Sequence, residues 1–259
     1  MSENRLPFTV HLEELRKRLI VSAIAVGVGF LVCYAFKDRI FEFVAIPLIA
    51  SLPENNSWMI FTGVTEAFFT YLKVSLLAGV FLSLPILFYQ FWAFIAPGLH
   101  AQERRTVVPF VIFSTLFFIT GASFGYFVVF PFGFKFLLGF ATDVIRPFPS
   151  LKEYLSFATK LLLAFGFVFE MPLITYFLAR IGLLTHQMLT KNRRYFIVVA
   201  FIGAAVLTPP DVVTQLFMAG PLIILFEISV VVARIFGRKP LTDTSGELTD
   251  EEEPGSTAD

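Results

Sequence analysis

Long stretches without a charged side chain constrain this chain more than any other feature. The runs at 74–99 and 106–134 contain no Asp, Glu, Lys or Arg. About 20 apolar residues in a helix, rising 1.5 Å each, cross a hydrocarbon core roughly 30 Å thick. Hydrophobic residues make up 56% of the chain and charged residues 15%, and the mean hydropathy is +0.77. These values exclude an ordinary soluble domain and predict an all-α membrane protein.

Dividing the chain at its charged residues predicts six transmembrane helices, at about 19–36, 74–99, 106–134, 161–179, 195–207 and 212–233. Only "TPPD" separates the last two, which therefore form a helical hairpin. The charge-free parts of this hairpin are short and extend about 20 to 23 Å at the helical rise. We therefore expect the last two spans to tilt or to thin the bilayer locally.

The distribution of basic residues predicts the orientation. The two terminal segments and the 2/3 and 4/5 loops together hold 13 Lys and Arg, against 7 in the remaining loops, which places both termini in the cytoplasm. No small-residue cleavage site follows the first span, so we expect it to be retained. The outer segments 37–73 and 135–160 contain apolar and aromatic residues and are expected to cap the outer face. Residues 240–259 are acidic and predict a disordered tail.

Prolines lie within or at the ends of the spans, where each removes a helical hydrogen bond and can bend the axis. Membrane helices also tolerate proline when neighbouring groups satisfy the backbone. The prolines in question are Pro85, Pro109, Pro131, Pro172 and Pro221. Together they predict kinked helices that form a concave, cupped bundle.

One carboxyl group lies inside a span. Glu170 has only uncharged residues around it from 161 to 179, and intramembrane ionisable groups commonly mark functional sites. It could equally be a neutral acid that hydrogen-bonds a neighbouring helix. We favour a polar point on the concave face, beside a bend at Pro172, that admits water and attracts a polar group of a partner helix.

The segment before the first span has the pattern of an amphipathic cytoplasmic helix over residues 1–18. His11, Glu14 and Arg18 share one face of it. Glu14 and Arg18 also form a local i,i+4 ion pair, which by itself is worth a few tenths of a kcal/mol. Glu103 lies in the short 2/3 loop beside two arginines, where the pattern alone is typical of a solvated turn.

Four motifs carry a family resemblance: "HLEELRKRL" at 11–19, "LPILFYQFWAFIAPGL" followed by "ERR" at 84–105, "AFGFVFEMPL" at 164–173 and "LTPPD" at 207–211. In this order on a six-span frame they resemble the TatC family, the large subunit of the twin-arginine protein translocase. The resemblance covers roughly residues 6 to 238. His100 departs from it, because relatives often have Tyr there.

The resemblance implies a receptor for twin-arginine signal peptides in the bacterial cytoplasmic membrane. With small TatA-type and TatB-type single-span partners, it would move folded proteins using the proton-motive force. A guanidinium offers a planar fork of donors that a carboxylate accepts, and Glu14 and Glu103 match the family positions. His11 belongs to the same motif, and Phe94 supplies aromatic surface for the apolar part of a signal peptide.

By the same resemblance, the last two spans form the docking site for partner helices. Thr208, Asp211 and Gln215 would form the polar outer end of that site, and Gln215 joins Glu170 as an intramembrane polar residue. Glu227, near the cytoplasmic end of the sixth span, is expected to snorkel or to pair with Arg234.

Two other function classes remain open on the sequence. A proton-coupled transporter of a small solute would use Glu170, although no internal repeat typical of transporters is visible. An intramembrane hydrolase would need a nucleophile with its base, a metal motif or paired membrane aspartates. The sequence has no such motif, only three scattered histidines and a single cysteine, Cys33. We therefore expect no enzyme activity, no metal and no cofactor.

Overall fold

The computed structural model describes residues 8–52, 58–95, 107–142, 147–208 and 211–237, with side chains from Leu12 onward. Apart from one isolated β-bridge, the regular structure in these ranges is helical. The helices are α1 Phe8–Ala35, α2 Lys37–Ile49, α3 Glu66–Ile95, α4 Val107–Phe124, α5 Phe130–Leu138, α6 Leu151–Phe169, α7 Met171–Arg180, α8 His186–Lys191, α9 Arg193–Leu207 and α10 Val212–Phe236.

Five segments within the described ranges are long and apolar enough to cross a membrane: Leu12–Ala35, Glu66–Ile95, Val107–Leu138, Leu151–Arg180 and Val212–Phe236. The predicted fifth span corresponds to α9, which has 15 residues and extends about 22 Å. The predicted sixth span at 212–233 corresponds to α10, which has 25 residues and so is not short, as its charge-free part had suggested. The short element of the hairpin is therefore α9.

Helices continue beyond the apolar runs at the predicted outer face. α3 begins eight residues before the predicted span at 74, and α6 begins at Leu151. A charge-free run marks only the part of a helix that can lie in the hydrocarbon core. The helix itself extends further, as long as its backbone N–H and C=O groups remain hydrogen-bonded. The protruding turns contact the outer segments and build the cap.

Two of these prolines lie where a span's α-helix is interrupted. Span three contains a π-helical turn, Gly125–Val129, directly before α5, which has Pro131 in its first turn. Span four breaks at Glu170, between α6 and α7, and Pro172 lies in the first turn of α7. Pro85 and Pro221 lie inside continuous helices. Spans three and four are therefore interrupted beside a proline, where a helix axis can bend.

The two outer segments pack on each other. Ile60 and Ser150 form a parallel bridge, in which the Ile60 N–H donates to the Pro149 carbonyl at 3.1 Å and the Leu151 N–H donates to the Ile60 carbonyl at 2.9 Å. The Tyr154 hydroxyl donates to the Val44 carbonyl on α2. These bonds confirm that the outer segments fold over one face.

Span one is held to span two by small residues. A Cβ on Gly29 would lie 2.6 Å from the Gly79 carbonyl oxygen, so only glycine allows this approach of the backbones. The Ser83 hydroxyl donates to the Ala25 carbonyl at 2.8 Å. The N-terminal helix is thus fixed on α3, which places the residues around Glu14 beside Gln90.

Candidate functional site

Glu14 already binds a guanidinium. Its Oε1 accepts hydrogen bonds from Arg18 Nε at 3.1 Å and Nη2 at 2.6 Å, which confirms the i,i+4 pair that the spacing predicted. Arg18 Nη1 also donates to Gln90 Oε1 on α3 at 3.3 Å. The side chains of Arg18 and Glu14 are only 22% and 30% exposed. Sequence analysis missed Gln90, because nothing local connects residues this far apart.

Phe94 lies half-buried at the C-terminal end of α3, two residues after the buried Trp92. Both positions belong to the "FWAFIAP" motif. Glu103 lies outside the described residues, as does the side chain of His11, whose backbone belongs to α1. Their predicted roles remain predictions.

Glu170 lies at the break between α6 and α7, as the motif predicted. Its side chain is 3% exposed, so in the isolated chain it is enclosed rather than open to a cavity. Ser114 and Phe118, both on α4, lie beside its carboxyl group. Oε1 has no hydrogen-bond partner among the described residues. The carboxyl is therefore enclosed against α4, and the two roles considered for it both remain predictions.

The turn between α9 and α10 is stabilised by Asp211. Asp211 caps α10, since its Oδ1 accepts from the Thr214 N–H at 2.7 Å and its other oxygen accepts from the Thr214 hydroxyl. These bonds, led by the one from the hydroxyl, lower the pKa of the Asp211 carboxyl below its ordinary value. The buried Thr208 hydroxyl donates to the Ala204 carbonyl at 2.9 Å.

Gln215 joins the two helices of the hairpin. Its side-chain Nε2 donates to the Phe201 carbonyl on α9 at 3.0 Å, which places it one turn below Asp211. The three residues predicted for partner docking thus meet at one end of the hairpin. Pro209 and Pro210 of the "TPPD" turn lie outside the described residues.

Glu227 pairs with Arg193 at the opposite end of the hairpin. Arg193 Nη2 donates to Glu227 Oε2 at 2.7 Å, and the two side chains are 45% and 41% exposed. The predicted pairing with Arg234 is wrong, because Arg193, at the N-terminus of α9, places its guanidinium against Glu227 of α10. The pair ties α9 to α10.

Sequence analysis also missed Glu66, which connects the two outer segments. Its Oε2 accepts from the Thr62 N–H at 2.9 Å, and its Oε1 accepts from the Lys152 N–H at 2.8 Å and from the Ser150 hydroxyl at 3.2 Å. One carboxylate therefore joins the loop before α3 to the start of α6. Only the first of these contacts is local in the sequence, so spacing alone could not have indicated those to Ser150 and Lys152.

Comparison with known proteins finds the family that the sequence motifs resemble. Residues 10–221 match the family model "Sec-independent protein translocase protein (TatC)". A relative from Desulforapulum autotrophicum with that name is 59% identical over 93% of this chain and 89% of its own length. One from Magnetococcus marinus is 45% identical over 92% and 87%. A crystal structure of a "Twin Arginine Translocase Receptor- TatC" superposes with a TM-score of 0.78 at 42% identity, covering 86% of this chain and 97% of that one.

The fold and the site define a multi-pass helical membrane protein of a bacterial membrane. Within the described residues, no group of three or more His, Cys, Asp or Glu side chains could hold a metal ion. The chain belongs to the TatC family of Sec-independent protein translocase proteins.

Proposed function

We propose that this chain is the twin-arginine signal-peptide receptor and core subunit of a translocase that exports folded proteins across the cytoplasmic membrane, driven by the proton-motive force. The observation that carries the proposal is the guanidinium held by Glu14 beside the first span. A carboxylate that accepts two hydrogen bonds from Arg18 has the geometry and partial burial needed to accept a ligand arginine.

The signal arginines would replace or share Arg18 on Glu14, and Glu103 would supply the second carboxylate. Phe94, half-buried at the adjacent end of α3, would contact the apolar part of the signal, with His11 beside Glu14 on the same helix. In this arrangement the amphipathic segment 1–18 precedes the membrane domain 19–239 in the sequence, and the acidic tail 240–259 follows it. Both segments face the cytoplasm.

Single-span partners of the TatA and TatB type would dock at the α9–α10 hairpin. The 15-residue α9 is about 8 Å shorter than a ~30 Å core, and a short helix recruits partners or thins the bilayer. Thr208, Asp211 and Gln215 would present polar groups at its outer end, where a partner helix with a polar residue gains hydrogen bonds inside the membrane.

Crosslinking to a photoreactive twin-arginine signal peptide tests the site. Glu14→Ala and Glu103→Ala should each weaken crosslinking about ten-fold or more, because a hydrogen bond to a charged group is worth about 1.5–3 kcal/mol and 1.4 kcal/mol is ten-fold. Lys at either position should be worse. Glu13→Ala is the matched control, since Glu13 pairs with Lys17 and its side chain is 64% exposed.

Undiminished crosslinking and export in the Glu14→Ala/Glu103→Ala double variant would refute the assignment of these carboxylates. A thiol-reactive dye labels the buried Cys33 only when heating unfolds the chain, so the labelling temperature verifies that each variant is folded.

A further inference from the structure

A cavity of about 600 Å³ lies at the predicted outer end of span four. It is open to its surroundings, because several of the side chains that line it are exposed. Its wall is mostly apolar, with side chains from α2, α5, α6 and the end of α9: Leu48, Phe134, Leu137, Leu138, Phe157 and Leu207. A molecule that fills this space therefore needs an apolar part.

The polar side of the cavity is one face of α6. Lys152, Ser156 and Lys160 follow one another at four-residue spacing, so they lie on the same face of the helix, and all three are exposed. Glu153 lines the cavity as well. Because two lysines face one acid, the lining has a net positive charge, which favours an anionic group.

The donors on this face have no partners among the described residues. The side chains of Lys152 and Lys160 form no ion pair with any residue that the structure describes. The Ser156 hydroxyl has no hydrogen bond within the same residues, although serines in helices can bond the carbonyl four residues earlier, as Ser75 does at 2.7 Å. The cavity thus offers two ammonium groups and one hydroxyl to a ligand.

Lys160 lies deep in span four. It is about 13 Å along the helix from Leu151, the first residue of the segment Leu151–Arg180, and charged side chains inside spans are costly unless they face polar groups. Thr208, at the outer end of the 15-residue α9, lines the same cavity. Since α9 extends only about 22 Å, the bilayer beside it thins, which brings lipid headgroups to the depth of Lys160.

We propose that this cavity binds a phospholipid of the leaflet next to the cap. The Lys160 ammonium donates to the lipid phosphate, Lys152 and Ser156 supply further donors, and the apolar wall contacts the glycerol and the acyl chains. The bound lipid connects α5 and α6 to the outer end of α9. This site is separate from the carboxylates assigned to the signal peptide and does not depend on the proposed function.

Native mass spectrometry of the full chain, purified in detergent, tests this site by measuring lipid affinity. The probes are phosphatidylglycerol, diacylglycerol with the same acyl chains, and inorganic phosphate. The variants are Lys160→Gln and the double variant Lys152→Gln/Lys160→Gln, which change exposed side chains, and the labelling temperature of Cys33 verifies that they are folded. Lys135→Gln is the matched control, because Lys135 is an exposed lysine of α5 that is not among the residues lining the cavity.

Lys160→Gln should raise the Kd for phosphatidylglycerol about ten-fold, the effect of roughly one hydrogen bond to a charged group, and the double variant should raise it further. Lys135→Gln should bind like the wild type. Diacylglycerol should bind the wild type about ten-fold more weakly than phosphatidylglycerol, because it lacks the phosphate. Inorganic phosphate should not displace the lipid, because it lacks acyl chains.

Equal affinity of the wild type and the double variant for phosphatidylglycerol would overturn the site, as would equal losses from Lys135→Gln and Lys160→Gln. Equal binding of diacylglycerol and phosphatidylglycerol would overturn recognition of the phosphate. Displacement of the lipid by inorganic phosphate would overturn a phospholipid as the occupant and indicate a site for free anions.

Discussion

Replacing Gly121 by alanine should separate α4 from α6. A Cβ at this position would lie 2.4 Å from the Phe165 carbonyl oxygen and 2.8 Å from the Phe169 side chain, below the 3.0 Å that real Cβ contacts respect. The Phe165 oxygen belongs to the backbone and cannot rotate away, so the two helices must move apart by about 1 Å to reach ordinary van der Waals contact.

The magnitude follows from two opposing effects. Overpacking a buried contact costs about 1–3 kcal/mol, whereas alanine in a helix is favoured over glycine by up to about 1 kcal/mol. Gly133→Ala is the matched control, because a Cβ added at Gly133 on α5 would meet no atom of the described residues within 4 Å. The helix preference applies to both variants, so they should differ by the overpacking cost of about 1–3 kcal/mol, which is about 2–12 °C in Tm for a chain of this size.

The assay uses the lone cysteine. Cys33 is 8% exposed, so a thiol-reactive fluorophore labels it on unfolding and reports Tm in a mild detergent. Gly121→Ala should also impair transport, because Phe169 directly precedes Glu170. Equal Tm values for Gly121→Ala and Gly133→Ala would refute the close packing of α4 on α6.

Four further outcomes are expected. Glu170→Gln should retain much transport activity, whereas Glu170→Leu should reduce transport more than signal-peptide crosslinking; full transport by the Leu variant at equal protein level would contradict a role for the carboxyl. Four leucines added to α9 alone should reduce transport and leave insertion intact, and unchanged transport would exclude a role for its short length. Acidification should weaken the α9–α10 turn. The pKa of Asp211 is lowered in the folded chain, so its stabilisation of the turn is present above the ordinary aspartate pKa and is lost as the pH falls through the folded-state pKa. Proteolysis of the turn should therefore increase at low pH, and Asp211→Asn should abolish this pH dependence. Glu66→Ala should increase protease cleavage of the outer loop at 58–65, and unchanged cleavage would mean that the carboxylate does not hold the cap.

The sequence predicted features that depend on local chemistry. Uncharged runs located the spans, because the hydrocarbon core excludes charge wherever the chain crosses it. Pro172 located the break in span four, since proline removes a backbone donor whatever its surroundings. The Glu14–Arg18 pair followed from helical spacing alone.

Features that depend on tertiary contacts could not be predicted. Glu227 pairs with Arg193 rather than Arg234, and Gln215 bonds the Phe201 carbonyl, because the hairpin brings α9 against α10. The enclosure of Glu170 by α4 has the same origin. Periodicity gives the face on which a residue lies and leaves open which neighbour covers that face.

Export in a strain that lacks its own TatC-type subunit tests the central claim most directly. The strain receives this chain and a folded reporter behind either a twin-arginine signal or the same signal with two lysines. The carboxylate site predicts export of the twin-arginine reporter and little of the twin-lysine reporter, because lysine lacks the planar fork of donors. Equal export of the two reporters would contradict recognition of arginine by Glu14 and Glu103.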